Sequence, residues 1–597
     1  MSSTGRGSIA LACLVSACGM LAFGIRARSQ SPSIQPTIRE ASSRGGGPGD
    51  ASITVAPHAL VASSNRAAAQ AGVDILRSGG NAVDAAVAVG FALAVTYPEA
   101  GNLGGGGYMI IRMADGRTAA LDYRETAPAL SSRDMYLDSM GRVTRGSVAG
   151  RSSAGVPGAV AGLTAAHKRF GSLPLSRVLA PAIKLAQGMV VDSALPRSLA
   201  AKETTIKRYA GGAVFFADGK PPAPGSRFSQ PDLARTLKLI AANGADGFYR
   251  GTTARLIVAE MQRECPDVER SDRARHGCGL ITATDLEQYK PAWRRPVSSS
   301  FRGYRLLTMP PSSSGGVTLG ETLNILDGFR SLPAFGTAEY IHLFASAFQR
   351  AFTDRNALLG DPDYVRVPVN QLLSRSYAAR LRATIDRSRP TPTALLKMPP
   401  REGMETTHYS VVDGAGNAVS TTTTLNSLYG SGVFVAGAGF FLNNTMDDFA
   451  SQPGAANQFG LVQGEANAIA PGKRMLSAMT PTIVLDPQER LFMVLGARGG
   501  PRIITSVAQV IVNVLEHRMS LAEAVAAPRI HYQALPDSLR VDAKGFDTPT
   551  LDQLRSMGYA VDLQGYIGGS VVAIRRVRGG WEGMDDTRGF GGGALGY

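Results

Sequence analysis

The chain has 597 residues, 44% of them hydrophobic and 18% charged, and its 69 glycines are spread along its length. That composition sustains a large buried core and excludes collagen-like and low-complexity classes, and no repeat of solenoid length is evident. The formal net charge is +15, yet Lys and Arg are dispersed without a nucleic-acid motif, so the charge reads as a solvated basic surface suited to an anionic cell envelope.

Residues 1–28 carry Arg6, an apolar run from Ile9 to Phe23, then Arg26 and Arg28. This is the layout of a secretory signal and is too short for a spanning helix, so the expected location is exported, periplasmic or secreted. Val15-Ser16-Ala17-Cys18 also fits a lipoprotein cleavage box, which would lipidate Cys18; an ordinary signal is the equal alternative. Residues 29–51, with Gly45-Gly46-Gly47-Pro48-Gly49, read as a flexible linker.

Ala59 to Val95 reads mostly as helix, broken at Gly79-Gly80 and nearly apolar from Asn81 onward, hence buried. The cluster Gly101 to Gly107 interrupts it before a strand, Tyr108 to Met113. No Gly-Lys-Ser/Thr follows and the order is helix to strand, so tight chain packing accounts for these glycines better than a phosphate loop. Further helices are expected over Ala159 to about Phe170, over Pro174 to Gln187, and after the rigid turn Pro310 to Gly316 with Leu319, Leu323 and Leu326 on one face. Cys265 and Cys278, flanking a polar stretch, are the cysteines left after the signal segment. In an oxidising compartment they are expected to form a local disulfide, and without further Cys or paired His no metal is expected there.

From Thr406 the pattern changes. Thr406 to Val412 and Ala418 to Asn426 are β-rich runs joined by Asp413-Gly414-Ala415-Gly416-Asn417, a hairpin. If Asp413 pairs with Asn417, opposed residues have numbers summing to 830 and Thr406 faces Thr424, two hydroxyls on one face of the sheet. Taken alone, a threonine-rich strand is merely a good strand. The segment Lys397 to Glu405 before it is Pro- and Gly-bearing, however, and reads as an exposed, cleavable linker.

These residues, with other separated motifs, resemble the γ-glutamyltranspeptidase (glutathione hydrolase) family of N-terminal-nucleophile hydrolases. The motifs include Asp122-Tyr123-Arg124-Glu125, Val156-Pro157-Gly158, Leu359 to Asp363, Asn443-Asn444 with Met446 to Phe449, Met479 to Val484, and Gly499-Gly500 with Arg502 to Thr505. The resemblance runs from about Ser52 to Tyr597. It implies an α+β fold, a four-layer αββα sandwich of the N-terminal nucleophile type, matured between Glu405 and Thr406 into a large subunit (52–405) and a small catalytic subunit (406–597) that fold as one unit.

It further implies Thr406 as nucleophile with Thr424 hydrogen-bonded to it, and Gly499 and Gly500 as oxyanion donors. Arg124 is implied to bind the substrate α-carboxylate and Asp448 its ammonium, supported by Asn426 and Ser477. Structural readings compete: an ion pair of Arg124 with Glu125, and turn capping or a surface carboxylate pair for Asp447-Asp448. The family usually carries Gln or Glu at Thr445, serine at Ala478 and Pro at Arg498, which places Thr445 and Ala478 at the substrate pocket and leaves Arg498 as a site for an acidic acyl group. His408 is read as a packed or hydrogen-bonded strand residue, because an N-terminal amine already supplies a base. Pro453 to Arg474 corresponds to a lid, with Phe459 where many bacterial members have tyrosine.

The expected function is a self-cleaving γ-glutamyl transferase/hydrolase acting on glutathione-like amides, with transfer to water, amino acids or peptides, without a cofactor. The alternatives are a glutaryl or cephalosporin-type acylase on the same fold, and a non-catalytic envelope binding protein. The expected partners are the small-molecule substrate, the acceptor and the two subunits, with no nucleic acid and no membrane contact beyond a lipid anchor at Cys18.

Overall fold

The strands that carry the hairpin are built for burial on both faces. Along Thr407–Val412, Tyr409 and Val411 point into one hydrophobic core while Val412 points into a second, and the same alternation places Met109 and Ile111 opposite Tyr108 and Ile110 in Gly106–Arg112. A period of two with apolar residues on both sides is what a sheet sandwiched between two layers requires. The computed structural model describes residues 53–269, 272–392, 406–458, 460–586, 588 and 591–597, all within the unit Gly46–Tyr597.

Two seven-stranded antiparallel sheets face each other. The first runs Gly593–Gly596, Leu60–Ser63, Thr407–Val412, Ala418–Thr424, Gly106–Arg112, Thr118–Tyr123, Ala292–Arg294. The second runs Thr54–Ala56, Gly580–Asp585, Val571–Val577, Leu491–Ala497, Thr482–Leu485, Tyr304–Thr308, Val297–Phe301. Helices Arg66–Arg77 and Ala82–Thr96 cover the outer face of the first sheet, and Gly315–Asp327, Ala338–Leu358 and Arg502–Leu515 cover the second. This is the four-layer αββα sandwich expected from the sequence.

Every residue of Ala82–Thr96 is buried, as its apolar run predicts, and Asn81 with Asp84 caps it in a reciprocal box. The glycine cluster is a close-packing device: a Cβ at Gly105 would lie 2.1 Å from the Thr424 carbonyl oxygen. The chain therefore presses against the end of the hairpin strand, and no phosphate loop is formed. The hairpin itself is hydrogen-bonded on one side to Leu60–Ser63 and on the other to Gly106–Arg112, both from before residue 405. Segments preceding and following the Glu405–Thr406 junction are thus intertwined in one sheet.

Cys265 and Cys278 form the expected disulfide, with Cα atoms 5.1 Å apart. Glu405, Phe459 and the whole of residues 1–52, including Cys18, lie outside the described residues. Among the described residues no helix is long and apolar enough to cross a membrane.

Candidate active site

The hairpin register is the one the turn dictates. Thr407 pairs with Thr423 and Val412 with Ala418, and Asp413 Oδ1 accepts the backbone N–H groups of Ala415 and Asn417, closing the connection. One step beyond the ladder the Thr406 and Thr424 hydroxyl oxygens stand 3.4 Å apart, both side chains buried. Thr424 Oγ1 also accepts the N–H of Asn426 at 2.8 Å. Asn426 adopts a left-handed conformation (φ 80°) that turns the chain sharply out of the strand, and its amide donates to the Asn444 carbonyl.

His408 shares the face of Thr406 and is fully buried. Its Nδ1 pairs with Thr422 Oγ1 at 2.8 Å and its Nε2 with Ser410 Oγ at 3.1 Å. Burial pushes its pKa down to about 3, so it is a neutral, fully engaged strand residue, as expected.

Thr406 opens onto a small cavity of about 30 Å³. Its wall brings together Thr424, Arg124, Asn426, Asp448, Ser477, Ala478 and Gly500, residues up to 376 positions apart in the sequence. Arg124 directly follows the strand Thr118–Tyr123 and is buried, its carbonyl accepting from the Tyr289 hydroxyl at 2.8 Å and its N–H donating to Asp122 at 3.0 Å. The guanidinium donates through Nη2 to Asp448 and through Nη1 to Glu125 at 3.2 Å. The pairing with Glu125 anticipated as a structural alternative and the facing Asp448 thus occur together.

Burial pushes Asp448 up to about 6, with Arg124 opposing the rise, and pushes Glu125 up to about 7, again opposed by Arg124. Two carboxyl groups sharing one guanidinium are each less stabilised as anions than either alone would be. Asp447 takes a different part: its carboxylate accepts from Ser147 at 2.9 Å and from the Gln458 N–H at 3.1 Å, anchoring the following loop.

The segment Pro453 to Arg474 borders the pocket through Leu461. Its Gln463 and Asn467 donate to the Asp448 carbonyl at 3.1 and 2.7 Å. Ser477 and Met479 are held from beneath by the serines after Pro311: Ser314 Oγ donates to the Ser477 carbonyl and Ser313 Oγ to that of Met479, each at 2.6 Å.

Thr445 and Ala478 differ in placement. The Thr445 hydroxyl donates to Asn443 Oδ1 at 2.6 Å, and the residue is not on the cavity wall, whereas Ala478 is. Gly499 also lines a different cavity from Gly500. Both have positive φ, 122° and 58°, and their carbonyls accept the first N–H groups of the helix Arg502–Leu515. The turn therefore sits at the positive end of a helix.

Arg355 is the residue that sequence reading missed. It lines the cavity from the helix Ala338–Leu358, donating to Ser314 Oγ at 3.0 Å and to Asn356 at 2.9 Å. Burial lowers its pKa to about 10, with Asp448 opposing. The available signal was its position seven residues after Phe348 and four after Ala351, on an otherwise apolar helical stripe.

A four-layer αββα sandwich with a threonine at the strand end of a central hairpin, a second hydroxyl beside it and a glycine turn at a helix N-terminus is the arrangement of an N-terminal-nucleophile hydrolase. Comparison with known proteins narrows the class. The family model described as gamma-glutamyltranspeptidase matches residues 68–596, and the chain belongs to that family. It is similar to the glutathione hydrolase proenzyme of Escherichia coli, 44% identical over 541 residues covering 89% of this chain and 91% of that one. It is also similar to the acylase ACY 1 proenzyme of Pseudomonas sp. strain SE83, 40% identical over 482 residues, 79% of this chain and 82% of that one. Among solved structures, a cephalosporin acylase from Bacillus halodurans superposes with a TM-score of 0.78 at 27% identity, covering 95% of this chain and 99% of that one.

Proposed function

We propose that this chain is a proenzyme that cleaves itself before Thr406 and then transfers γ-glutamyl groups from amides such as glutathione to water or to amino acids and peptides. The observation that carries the reading is the pairing of Arg124 with Asp448 at the far side of the Thr406 cavity. A γ-glutamyl headgroup presents an α-carboxylate and an α-ammonium, and a guanidinium beside a carboxylate is its complement. Entering substrate exchanges one internal ion pair for two external ones.

In maturation the Thr406 hydroxyl attacks the Glu405 carbonyl, and water opens the resulting ester, dividing the chain into 52–405 and 406–597. The freed α-amine, with a usual pKa of about 7.7 to 8.0, then takes the proton from the Thr406 hydroxyl as that oxygen attacks the γ-carbonyl. Thr424 holds the hydroxyl in place. The N–H groups of Gly499 and Gly500, at the positive end of the helix Arg502–Leu515, stabilise the oxyanion. The amine leaves with the transferred proton, and the threonyl ester is opened by water or by a second amine.

Two features favour an acylase as the second reading: Ala478 supplies no hydroxyl to the cavity, and the Thr445 hydroxyl is committed to Asn443. Turnover of γ-glutamyl and glutaryl p-nitroanilides side by side decides between them. The γ-glutamyl compound is expected to be the faster; faster glutaryl turnover overturns the reading.

Export to the periplasm or beyond is part of the proposal. It is supported by the charged and apolar layout of residues 1–28 and by the Cys265–Cys278 disulfide, a bond that persists in oxidising compartments. Fractionation of cells expressing the full chain tests it, with mature protein expected outside the cytoplasm.

A further inference from the structure

Arg355 stands on the wall of the Thr406 cavity without an anion of its own. It belongs to the helix Ala338–Leu358, is 1% exposed, and forms no ion pair among the described residues. Its Nε donates to the Ser314 hydroxyl at 3.0 Å and its Nη1 to the Asn356 side-chain oxygen at 2.9 Å, both neutral groups. Nη2 has no hydrogen-bond partner among the described residues. The carboxylate next to it in sequence, Asp354, accepts instead from the Tyr377 hydroxyl at 2.6 Å. The carboxyl on the same wall, Asp448, is bonded to Arg124. Burial lowers the Arg355 pKa to about 10, with Asp448 opposing, so the group is still a cation at neutral pH. Arginine is almost never fully buried unless paired, because taking its charge out of water is costly. A buried guanidinium that has only neutral partners and lines a cavity is therefore built to receive an anion there.

We propose that Arg355 is a second cation of the substrate clamp, taking the headgroup carboxylate through Nη2 together with Arg124. For the identity of that headgroup the assignment rests on the γ-glutamyl reading above. In the empty cavity Arg124 already serves two carboxyl groups, Asp448 and Glu125, whereas Arg355 serves none. A zwitterionic headgroup adds no net charge to this set. Its ammonium takes Asp448, and its carboxylate supplies the anion that Arg355 lacks. The Ser314 hydroxyl that accepts from Arg355 also donates to the Ser477 carbonyl at 2.6 Å, which fixes the second guanidinium relative to the Ser477 wall. A substrate without the carboxylate leaves Arg355 buried and unpaired, so Arg355 is a specificity-determining residue.

The test reads kcat/KM for three p-nitroanilides: γ-glutamyl, glutaryl, which lacks the ammonium, and 4-aminobutyryl, which lacks the carboxylate. Arg355→Leu is expected to lower the γ-glutamyl to 4-aminobutyryl ratio about tenfold, through a raised KM for the γ-glutamyl compound, and to hold the γ-glutamyl to glutaryl ratio within about twofold. Arg355→Lys keeps the charge and is expected to lower the first ratio only about threefold, and it carries the test should Arg355→Leu fail to mature. A first ratio that keeps the parent value in the variants, as it would if all three substrates lost equally to a structural defect, overturns the assignment. So does a fall confined to the γ-glutamyl to glutaryl ratio, which would tie Arg355 to Asp448 and the ammonium. A parent faster on glutaryl than on γ-glutamyl anilide overturns the γ-glutamyl reading alone. Glutaryl keeps the carboxylate, so its ratio to 4-aminobutyryl then tests Arg355 in the same variants.

Discussion

On the Thr406 side of the glycine turn the charges face one another directly: Arg124 is shared between Asp448 and Glu125, Arg355 lies on the same wall, and only about 30 Å³ stays open. On the Arg498 side Arg197, Arg498, Arg588 and Glu99 line about 300 Å³, and Arg498 donates to the Tyr97 hydroxyl among its contacts. On the proposed reading the first cavity is preorganised for a ligand carrying both charges, because the Arg124–Asp448 ion pair holds both side chains in place before substrate arrives. The second is about ten times roomier, and its Arg588 is paired with Asp542 and Asp586. The contrast teaches that the glycine turn separates a small cavity whose charges are paired across it from a larger and more open one.

The comparison breaks first at the nucleophile. Thr406→Ala removes the attacking oxygen, so the chain is expected to stay uncleaved on a denaturing gel and to lose at least about 1,000-fold in turnover. Next comes the clamp. Arg124→Lys keeps the charge and loses the planar fork, and a charge-assisted hydrogen bond of about 1.5 to 3 kcal/mol predicts a fall of about 10- to 100-fold in kcat/KM for a γ-glutamyl anilide, with cleavage intact. A fall of equal size for a glutaryl anilide, and none for the γ-glutamyl one, would assign the clamp to an acyl carboxylate.

The acid limb sharpens the comparison further. Asp448 is pushed up to about 6 by burial, so it loses its charge as pH falls through that value. The KM for a γ-glutamyl substrate is therefore expected to rise below about pH 6, a limb that Asp448→Asn removes along with most of the affinity. Smaller still is the effect of wall polarity. Ala478→Ser places a hydroxyl on the cavity wall and is expected to raise γ-glutamyl kcat/KM about fivefold, for a hydrogen bond of about 1 kcal/mol. Thr445→Gln, away from that wall, is expected to do less.

A separate effect, on stability rather than turnover, lies behind Arg498. Asp585 is pushed up to about 8 by burial, with Arg498 opposing, and its Oδ1 is buried without a partner. The folded state then binds this proton more tightly than the unfolded state does, so stability declines as pH rises from about 4 to 8. Asp585→Asn is expected to flatten that decline in Tm; an unchanged slope would remove Asp585 as its source.

Much of this arrangement is legible in sequence where local pattern decides it. The Asp413 to Asn417 connection sets the register that brings Thr406 to Thr424, and the apolar run after Asn81 announces a helix buried all round. The disulfide follows from the pairing of cysteines close in sequence. Arg355 was not legible, because its place at the cavity depends on how a distant helix packs over the second sheet. The orientation of Thr445 was not legible either: position along the chain puts it near Asp448, but its hydroxyl turns back to Asn443, just before the short helical turn Thr445–Asp448. The division of the glycine turn between two cavities likewise depends on Gly569 and Ser570, which come from the far end of the chain.

N-terminal sequencing of the smaller fragment of purified protein tests the central claim most directly. Thr-Thr-His-Tyr-Ser is the expected reading, placing Thr406 as a free amine beside Thr424. A fragment beginning elsewhere, or an active protein that remains one chain, would contradict it.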